Sequence, residues 1–221
     1  MKTIAIIPAR GGSKRLHNKN LLPLGGVPLL AHSILYAKAN SEIIKEIYVT
    51  TDDKDIKRVA LEYGATVIDR PAYLSGDNEP TITAMQHVLQ TIEHPVEDVI
   101  LLQPTNPLRE KSLLKEAYEI YTFNAYDSLF TVSRNNHKLG QIENSKYLPY
   151  NYKVGQRSQD LAPLYFENGL LYITKAKTIL GGEIISEKGF PFIVNHPYGN
   201  IDIDTKEDFE YAEFLYFKSR E

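Results

Sequence analysis

The chain contains no cysteine, which excludes a disulfide framework, a thiolate nucleophile and a zinc–thiolate centre. It also lacks any uninterrupted apolar run of about 18 residues, the length that a membrane-crossing helix needs. The apolar segment from Ile4 to Pro8 is far too short for the core of a secretory signal. Nor is there a large excess of one charge: 25 Lys and Arg stand against 28 Asp and Glu. That balance argues against a general nucleic-acid binder, which needs a broad cationic face to neutralise many phosphates. A cytoplasmic protein engaging neither membrane nor nucleic acid is the expectation. At 221 residues the chain can bury a sizeable core without covalent staples.

The positive charge that is present is concentrated. Ile4-Ala-Ile-Ile-Pro-Ala reads as a buried strand and runs directly into Arg10-Gly-Gly-Ser-Lys-Arg-Leu-His-Asn-Lys-Asn20. Gly11 and Gly12 permit positive φ and close approach of the backbone to an anion, while Arg10, Lys14, Arg15 and Lys19 supply four cations in the same loop. Such a loop is suited to phosphate. Set in a nearly neutral chain, it points to a small polyanionic ligand.

Short β-branched runs alternate with helical patterns along the chain. Strands are predicted from Thr3 to Ile7, Glu46 to Thr51, Thr66 to Asp69, Asp98 to Leu102 and Ser128 to Ser133. Helices are predicted from Pro28 to Ala39, Lys54 to Tyr63, Thr81 to Ile92 and Lys111 to Tyr121, with starts marked by Thr51-Asp-Asp and by Asn78-Glu-Pro. The alternation predicts a single α/β domain over residues 1–221, a Rossmann-like, doubly wound, mostly parallel sheet. Ligands of such sheets sit beyond the carboxyl ends of the strands. That rule singles out the loops Arg10 to Asn20, Arg70 to Glu79 and Gln103 to Arg109.

Residues 134–163 break the pattern, being rich in Asn, Gln, Lys and Tyr with no helical period. Tyr147-Leu-Pro-Tyr-Asn-Tyr152 carries too much aromatic surface for a purely solvated loop. An inserted arm that packs against a second copy in a homodimer is expected. The strand pattern from Leu164 to Thr174 is interrupted at Glu167-Asn-Gly169. A glycine there marks either a structural bulge or a close approach to a ligand.

Near the C-terminus stands Asn200-Ile-Asp-Ile-Asp-Thr205. In extended backbone, residues two apart share a face, so Asp202 and Asp204 present two carboxylates while Ile201 and Ile203 anchor the opposite side. Two carboxylates suit Mg²⁺, which takes oxygen ligands from carboxylates, phosphates and water. Asp204-Thr-Lys-Glu207 also has the spacing of a capping box for a helix starting near Thr205. Asp204 therefore has two candidate roles.

Five segments, Pro8-Ala-Arg-Gly-Gly-Ser-Lys14 with Asn18-Lys-Asn20, Leu102-Gln-Pro-Thr-Asn-Pro-Leu-Arg109, Gln156-Arg-Ser-Gln-Asp160, Glu167-Asn-Gly169 and Ile201-Asp-Ile-Asp-Thr205, resemble the signature segments of acylneuraminate cytidylyltransferases, also called CMP-sialic acid synthetases. The resemblance is collinear from Ile4 to about Phe209. It implies transfer of CMP from CTP to a nine-carbon 2-keto acid sugar with release of pyrophosphate. It further implies that Arg10, Gly11, Gly12, Ser13 and Lys14 surround the triphosphate, Lys19 lies by the reacting phosphate and Asn20 by the nucleotide. Arg70, Gly76 and Asp77 match a nucleotide-contacting segment, although Arg70 could equally pair with Asp69 or Asp77 on the surface. Gln103, Gln159 and Asn168 fall on the sugar side, Arg157 meets the sugar carboxylate or the reacting centre, and Asp202 with Asp204 holds Mg²⁺.

No histidine need act as a base in that scheme. His17 lies in the phosphate loop, whereas His32, His87, His94, His137 and His196 show no ligand spacing. Tyr165, Phe166, Tyr172, Phe190 and Phe192 are candidates for a sugar pocket or for the core. Two departures stand out. Asn106 takes the place of a serine found in many relatives, and Arg15-Leu16 resembles the related 3-deoxy-manno-octulosonate cytidylyltransferases. The segment Gln103 to Arg109 favours the nine-carbon sugar.

Overall fold

Residues Thr3–Ile7 are buried on both faces of the first strand, β1 (Lys2–Pro8), as a continuous apolar run requires at the centre of a parallel sheet. The fold was obtained as a computed structural model and is described for residues 2–219. Helices α1 (Leu29–Ala39), α2 (Lys54–Glu62), α3 (Thr81–Thr91) and α4 (Leu113–Phe123) alternate with strands β4 (Glu46–Thr51), β5 (Thr66–Asp69), β6 (Val96–Leu101) and β7 (Ser128–Asn135). Between β1 and α1 lies a short hairpin, β2 (Pro23–Leu24) with β3 (Val27–Pro28). The expected elements are all present, two strands with the expected bounds and the others shifted by at most two residues at either end.

The remaining strands make the sheet mixed. β10 (Leu164–Lys175) runs antiparallel to both β6 and β7, and β11 (Phe190–Ile193) pairs parallel with β7. The seven-stranded order is β11-β7-β10-β6-β1-β4-β5. Its faces are covered as the period-two alternation of β1 dictates. Ala5 and Ile7 pack with Leu30, Ile34, Val59 and Leu114 of α1, α2 and α4. Ile4 and Ile6 pack with Met85 and Val88 of α3 and Ile179 of α5 (Ala176–Leu180).

A third cluster joins Leu24, Leu29 and Leu108 to Ile201, Ile203 and Leu215, the last on α6 (Lys206–Lys218). This cluster fixes the segment that carries Asp202 and Asp204.

Helix starts are only partly as expected. Asp53 caps α2 by accepting from the amides of Asp55 (2.8 Å) and Ile56 (3.0 Å). Asn78 does not cap α3: Pro80 occupies that position, without a side-chain bond. The capping box of α6 is Thr205 with Asp208, not Asp204 with Glu207. Asp204 is thereby released from the capping role.

The arm is a projecting hairpin, β8 (Gly140–Glu143) with β9 (Lys146–Pro149), turned by Asn144 and Ser145 at φ 49° and 64°. These two strands form a separate two-stranded sheet. In the arm, Ile142 is 78% and Val154 86% exposed. Among the described residues no helix is long and apolar enough to cross a membrane.

At the end of the sheet opposite the loops singled out above, Glu46 accepts from the ammonium of Lys2, from the Tyr48 hydroxyl (2.6 Å) and from His94 Nε2 (2.6 Å). Lys2 and then Tyr48 hold its carboxyl at about 2, against an ordinary 4.5. A carboxyl whose folded pKa is depressed stabilises the fold above its unfolded pKa and loses that contribution as pH falls towards the folded value. Glu46→Gln is therefore expected to lower the thermal midpoint by about 2–4 °C at neutral pH. Melting curves of the variant should converge with the wild type between about pH 4.5 and 2.

Candidate active site

The loops after β1, β5 and β6 meet at the carboxyl ends of their strands around a cleft of about 480 Å³. Arg10, Ser13, Lys14, Lys19 and Asn20 line it from the first loop, Arg70 and Asp77 from the second, Gln103 and Thr105 from the third, and Asp204 from the far end of the chain. A second recess of about 330 Å³ adjoins it, lined by Gln103, Asn106, Phe166, Glu167, Asn168, Tyr172 and Asp202, among others. Gln103 belongs to both. Asp204 faces the first recess and Asp202 the second.

Local backbone explains the first loop. Ala9 N still bonds to Thr50 O (3.1 Å), after which the chain leaves the sheet. Gly12 turns it at φ 66°, with open space where a side chain would stand. Gly11 does not adopt positive φ, contrary to expectation, because its amide donates to Asp52 Oδ1 (2.9 Å). Asn18, left-handed at φ 51°, leads into a single helical turn, Lys19–Leu21, and the buried Asn20 donates to Arg10 O (3.0 Å). The loop is thus closed on itself with its cations facing the cleft.

Those cations are already paired. Arg10 (2.8 Å) and Lys14 both meet Asp77, whose carboxyl Lys14 and then Arg10 hold below its ordinary value. Arg15 (2.8 Å) and Lys19 (2.7 Å) both meet Asp204. The two carboxylates hold four like charges together. Asp77 thus holds Arg10 and Lys14 at the cleft, while Gly76 lies beside it without lining the cleft.

Arg70 does not pair with Asp69 or Asp77 on the surface. It is buried and donates to Thr50 O (2.6 Å) and Thr50 Oγ1 (3.3 Å), and Asp69 pairs with Lys57 instead. Burial lowers its pKa, with Asp52 opposing.

Residues 201–204 are extended but form no strand. The predicted alternation holds nonetheless: Ile201 and Ile203 are buried while Asp202 points outward. The Ile203 amide donates to Thr105 O (2.9 Å). Desolvation raises the Asp202 carboxyl, the Thr105 hydroxyl opposes this by hydrogen bonding, and repulsion from Asp204 adds to it. Among the described residues no group of three or more His, Cys, Asp or Glu is arranged to hold a metal. Two carboxylates beside a cationic cleft are nevertheless the donor set that Mg²⁺ uses when a ligand and water complete its shell.

A buried hydrogen-bond network that the sequence did not reveal supports the second recess. Asn106 Nδ2 donates to Asn168 O (3.0 Å) and Ile201 O (2.6 Å), tying the loop after β6 to β10 and to the aspartate segment. Arg109 donates to Leu170 O (2.6 Å), Ser33 Oγ (3.1 Å) and Gln103 O (3.0 Å), which fixes Gln103 at the junction. Between Glu167 and Tyr172 the pairing with β7 shifts, and residues 168–171 stand against Thr131 alone. Gly169 makes this bulge at φ 75°; a Cβ there would lie 2.8 Å from Asn106 Oδ1. Gly169 thus makes a bulge, and it also borders the second recess.

Asn168 lines the recess but spends its side chain on the bulge, accepting from Thr131 Oγ1 (2.6 Å) and donating to Ser133 Oγ (3.0 Å). Arg157 and Gln159 lie in the exposed arm and line neither recess. Arg157 makes a two-pronged pair with Asp160 (2.8 and 3.0 Å). Of the candidate aromatics, Phe166 and Tyr172 line the second recess, Phe190 and Phe192 pack against the main core, and Tyr165 is exposed. His17 is exposed and lines neither recess.

Comparison with known proteins places this geometry. The chain is 36% identical to the pseudaminic acid cytidylyltransferase of Campylobacter jejuni, over 98% of this chain and 97% of the relative. It is 36% identical to the CMP-N,N'-diacetyllegionaminic acid synthase of Legionella pneumophila, over 97% and 96%. It is 34% identical to the N-acylneuraminate cytidylyltransferase of Streptococcus agalactiae, over 95% of this chain but only 52% of that longer protein. A CMP:2-keto-3-deoxy-manno-octonic acid synthetase solved with CTP superposes with a TM-score of 0.73 at 17% identity, over 99% of this chain and all of the other, a likeness of fold. Residues 4–219 match the family described as Cytidylyltransferase, and with full-length relatives at 36% identity the chain belongs to that family.

Proposed function

We propose that this cytidylyltransferase transfers CMP from CTP to the anomeric hydroxyl of a nine-carbon 2-keto acid sugar, releasing pyrophosphate. The observation that carries the reading is the junction of the two recesses. A cleft lined by five cations meets a polar recess at Gln103, with Asp204 facing one and Asp202 the other. The relatives at 34–36% identity named for pseudaminic, legionaminic and acylneuraminic acids support a nine-carbon acceptor.

The chemistry follows from the charges. Attack of the sugar hydroxyl on the α-phosphorus expels pyrophosphate, so negative charge grows on the leaving group. Arg10 and Lys14 exchange Asp77 for phosphate oxygens, and Lys19 turns from Asp204 towards the reacting phosphate. The fold has already gathered these cations, so little reorganisation is left to the reaction itself. Asp202 and Asp204 would hold Mg²⁺, which when bound neutralises triphosphate charge and lowers the pKa of a nearby hydroxyl. Gln103 spans both recesses and orients the acceptor.

Arg157 and Gln159 enter the scheme through the arm. Its exposed Ile142, Tyr147, Tyr150 and Val154 support a homodimer in which these residues lie near a second copy. Pyrophosphate release with CTP, Mg²⁺ and a panel of eight- and nine-carbon 2-keto acids tests the reading. Turnover confined to eight-carbon acids, or equal turnover with other nucleotides, would sink it.

A further inference from the structure

The acceptor recess carries the wrong charge for a sugar acid. Glu167 and Asp202 are both carboxylates, and none of the side chains lining the recess is cationic. Asp202 is accounted for by its partnership with Asp204. Glu167 is not. It stands at the start of the β10 bulge, where its backbone is still in register with Val132, and the Tyr172 hydroxyl donates to its Oε1. Burial and then Glu167 itself raise the Tyr172 pKa, which keeps that hydroxyl protonated and donating. An ionised carboxylate has about four lone-pair sites and can only accept. The anchor takes one site and holds the others over a recess whose neighbouring wall is the half-exposed Phe166.

We infer that Glu167 determines acceptor specificity: it accepts hydrogen bonds from hydroxyl or acylamino N–H donors of the sugar and repels the sugar's own carboxylate. The acid end is thereby turned towards the cationic cleft, and the donor-bearing carbons face Glu167 with Phe166 offering apolar surface beside them. This inference rests on the acceptor being a sugar acid, as proposed above. It accounts for a carboxylate in a site for an anion, since charge repulsion rejects the inverted pose as the hydrogen bonds favour the productive one.

Steady-state kinetics on Glu167→Gln and Tyr172→Phe, with N-acetylneuraminate, pseudaminate and the deaminated analogue as acceptors, test it. Glu167→Gln is expected to raise the KM of the preferred acceptor about tenfold, the effect of losing a hydrogen bond to a charged group. Its kcat should stay within about threefold and its KM for CTP within about twofold, and Tyr172→Phe should show the same split to a smaller extent. A Glu167→Gln acceptor KM within about twofold of wild type, or equal rises in both KM values, overturns the specificity role while leaving cytidylyl transfer standing. Wild-type protein that releases pyrophosphate with no nine-carbon 2-keto acid, diacetyllegionaminate included, overturns the proposed reaction, and the Glu167 role with it.

Discussion

Asp202→Asn is expected to lower kcat about 100-fold and to raise the Mg²⁺ concentration needed for half-maximal activity, with the fold intact. The backbone at this position is held by what surrounds the side chain. Ile201 and Ile203 are sealed in the third core cluster, and the Ile203 amide is bonded to Thr105. An isosteric amide therefore removes charge without moving the chain. Desolvation and repulsion from Asp204 both disfavour the ionised Asp202, so without Mg²⁺ the variant should melt at or above the wild-type temperature. Asp204→Asn should behave differently, because Asp204 is the counter-ion of Arg15 and Lys19. That variant should lose activity and also relax the loop. Titration of activity with Mg²⁺ beside melting curves separates the two, and an unchanged Mg²⁺ dependence in both variants would remove the metal assignment.

The contrast between these neighbouring aspartates shows what a sequence can reveal and what it cannot. Their shared face was legible because alternation is local: Ile, Asp, Ile, Asp places two residue types on two sides wherever the backbone is extended. Their inequality was not, since it comes from Arg15 and Lys19, some 185 residues away along the chain. The same division runs through the site. The cationic loop, the helix–strand alternation and the three cleft-lining loops were readable from period and composition. Asn106, Arg109, Thr131 and Ser133 were not given roles, because their partners lie 35 to 95 residues away and no spacing rule links them.

Where local rules competed, the structure chose between them. Thr205 rather than Asp204 caps α6, as a hydroxyl at that position can accept from the Asp208 amide while the Asp208 carboxylate closes the box. Gly11 had the chemistry of a free anion-binding amide, but Asp52 occupies it.

Lys19→Ala is expected to lower kcat by about 10²–10³-fold while changing the acceptor KM by no more than about threefold. The reason is position within the loop rather than charge alone. The Lys14 and Arg15 side chains are 77% and 72% exposed, whereas Lys19 is only 12% exposed. Solvent and salt screen the first two strongly and the third weakly, so the charge of Lys19 acts at a lower effective dielectric than theirs. Its backbone is also the best fixed, in a turn set by left-handed Asn18 and locked by buried Asn20. A cation so held stabilises charge that develops during phosphoryl transfer without first being ordered, and that contribution appears in kcat. Arg15→Ala makes the control: it shares Asp204 as partner but stands in solvent, and its loss should change kcat by less than about fivefold at physiological salt. Single-turnover rates for both variants, measured with saturating CTP, decide the matter. Equal effects of the two substitutions would mean that the loop acts through its summed charge, and Lys19 would lose its distinct place beside the reacting phosphate.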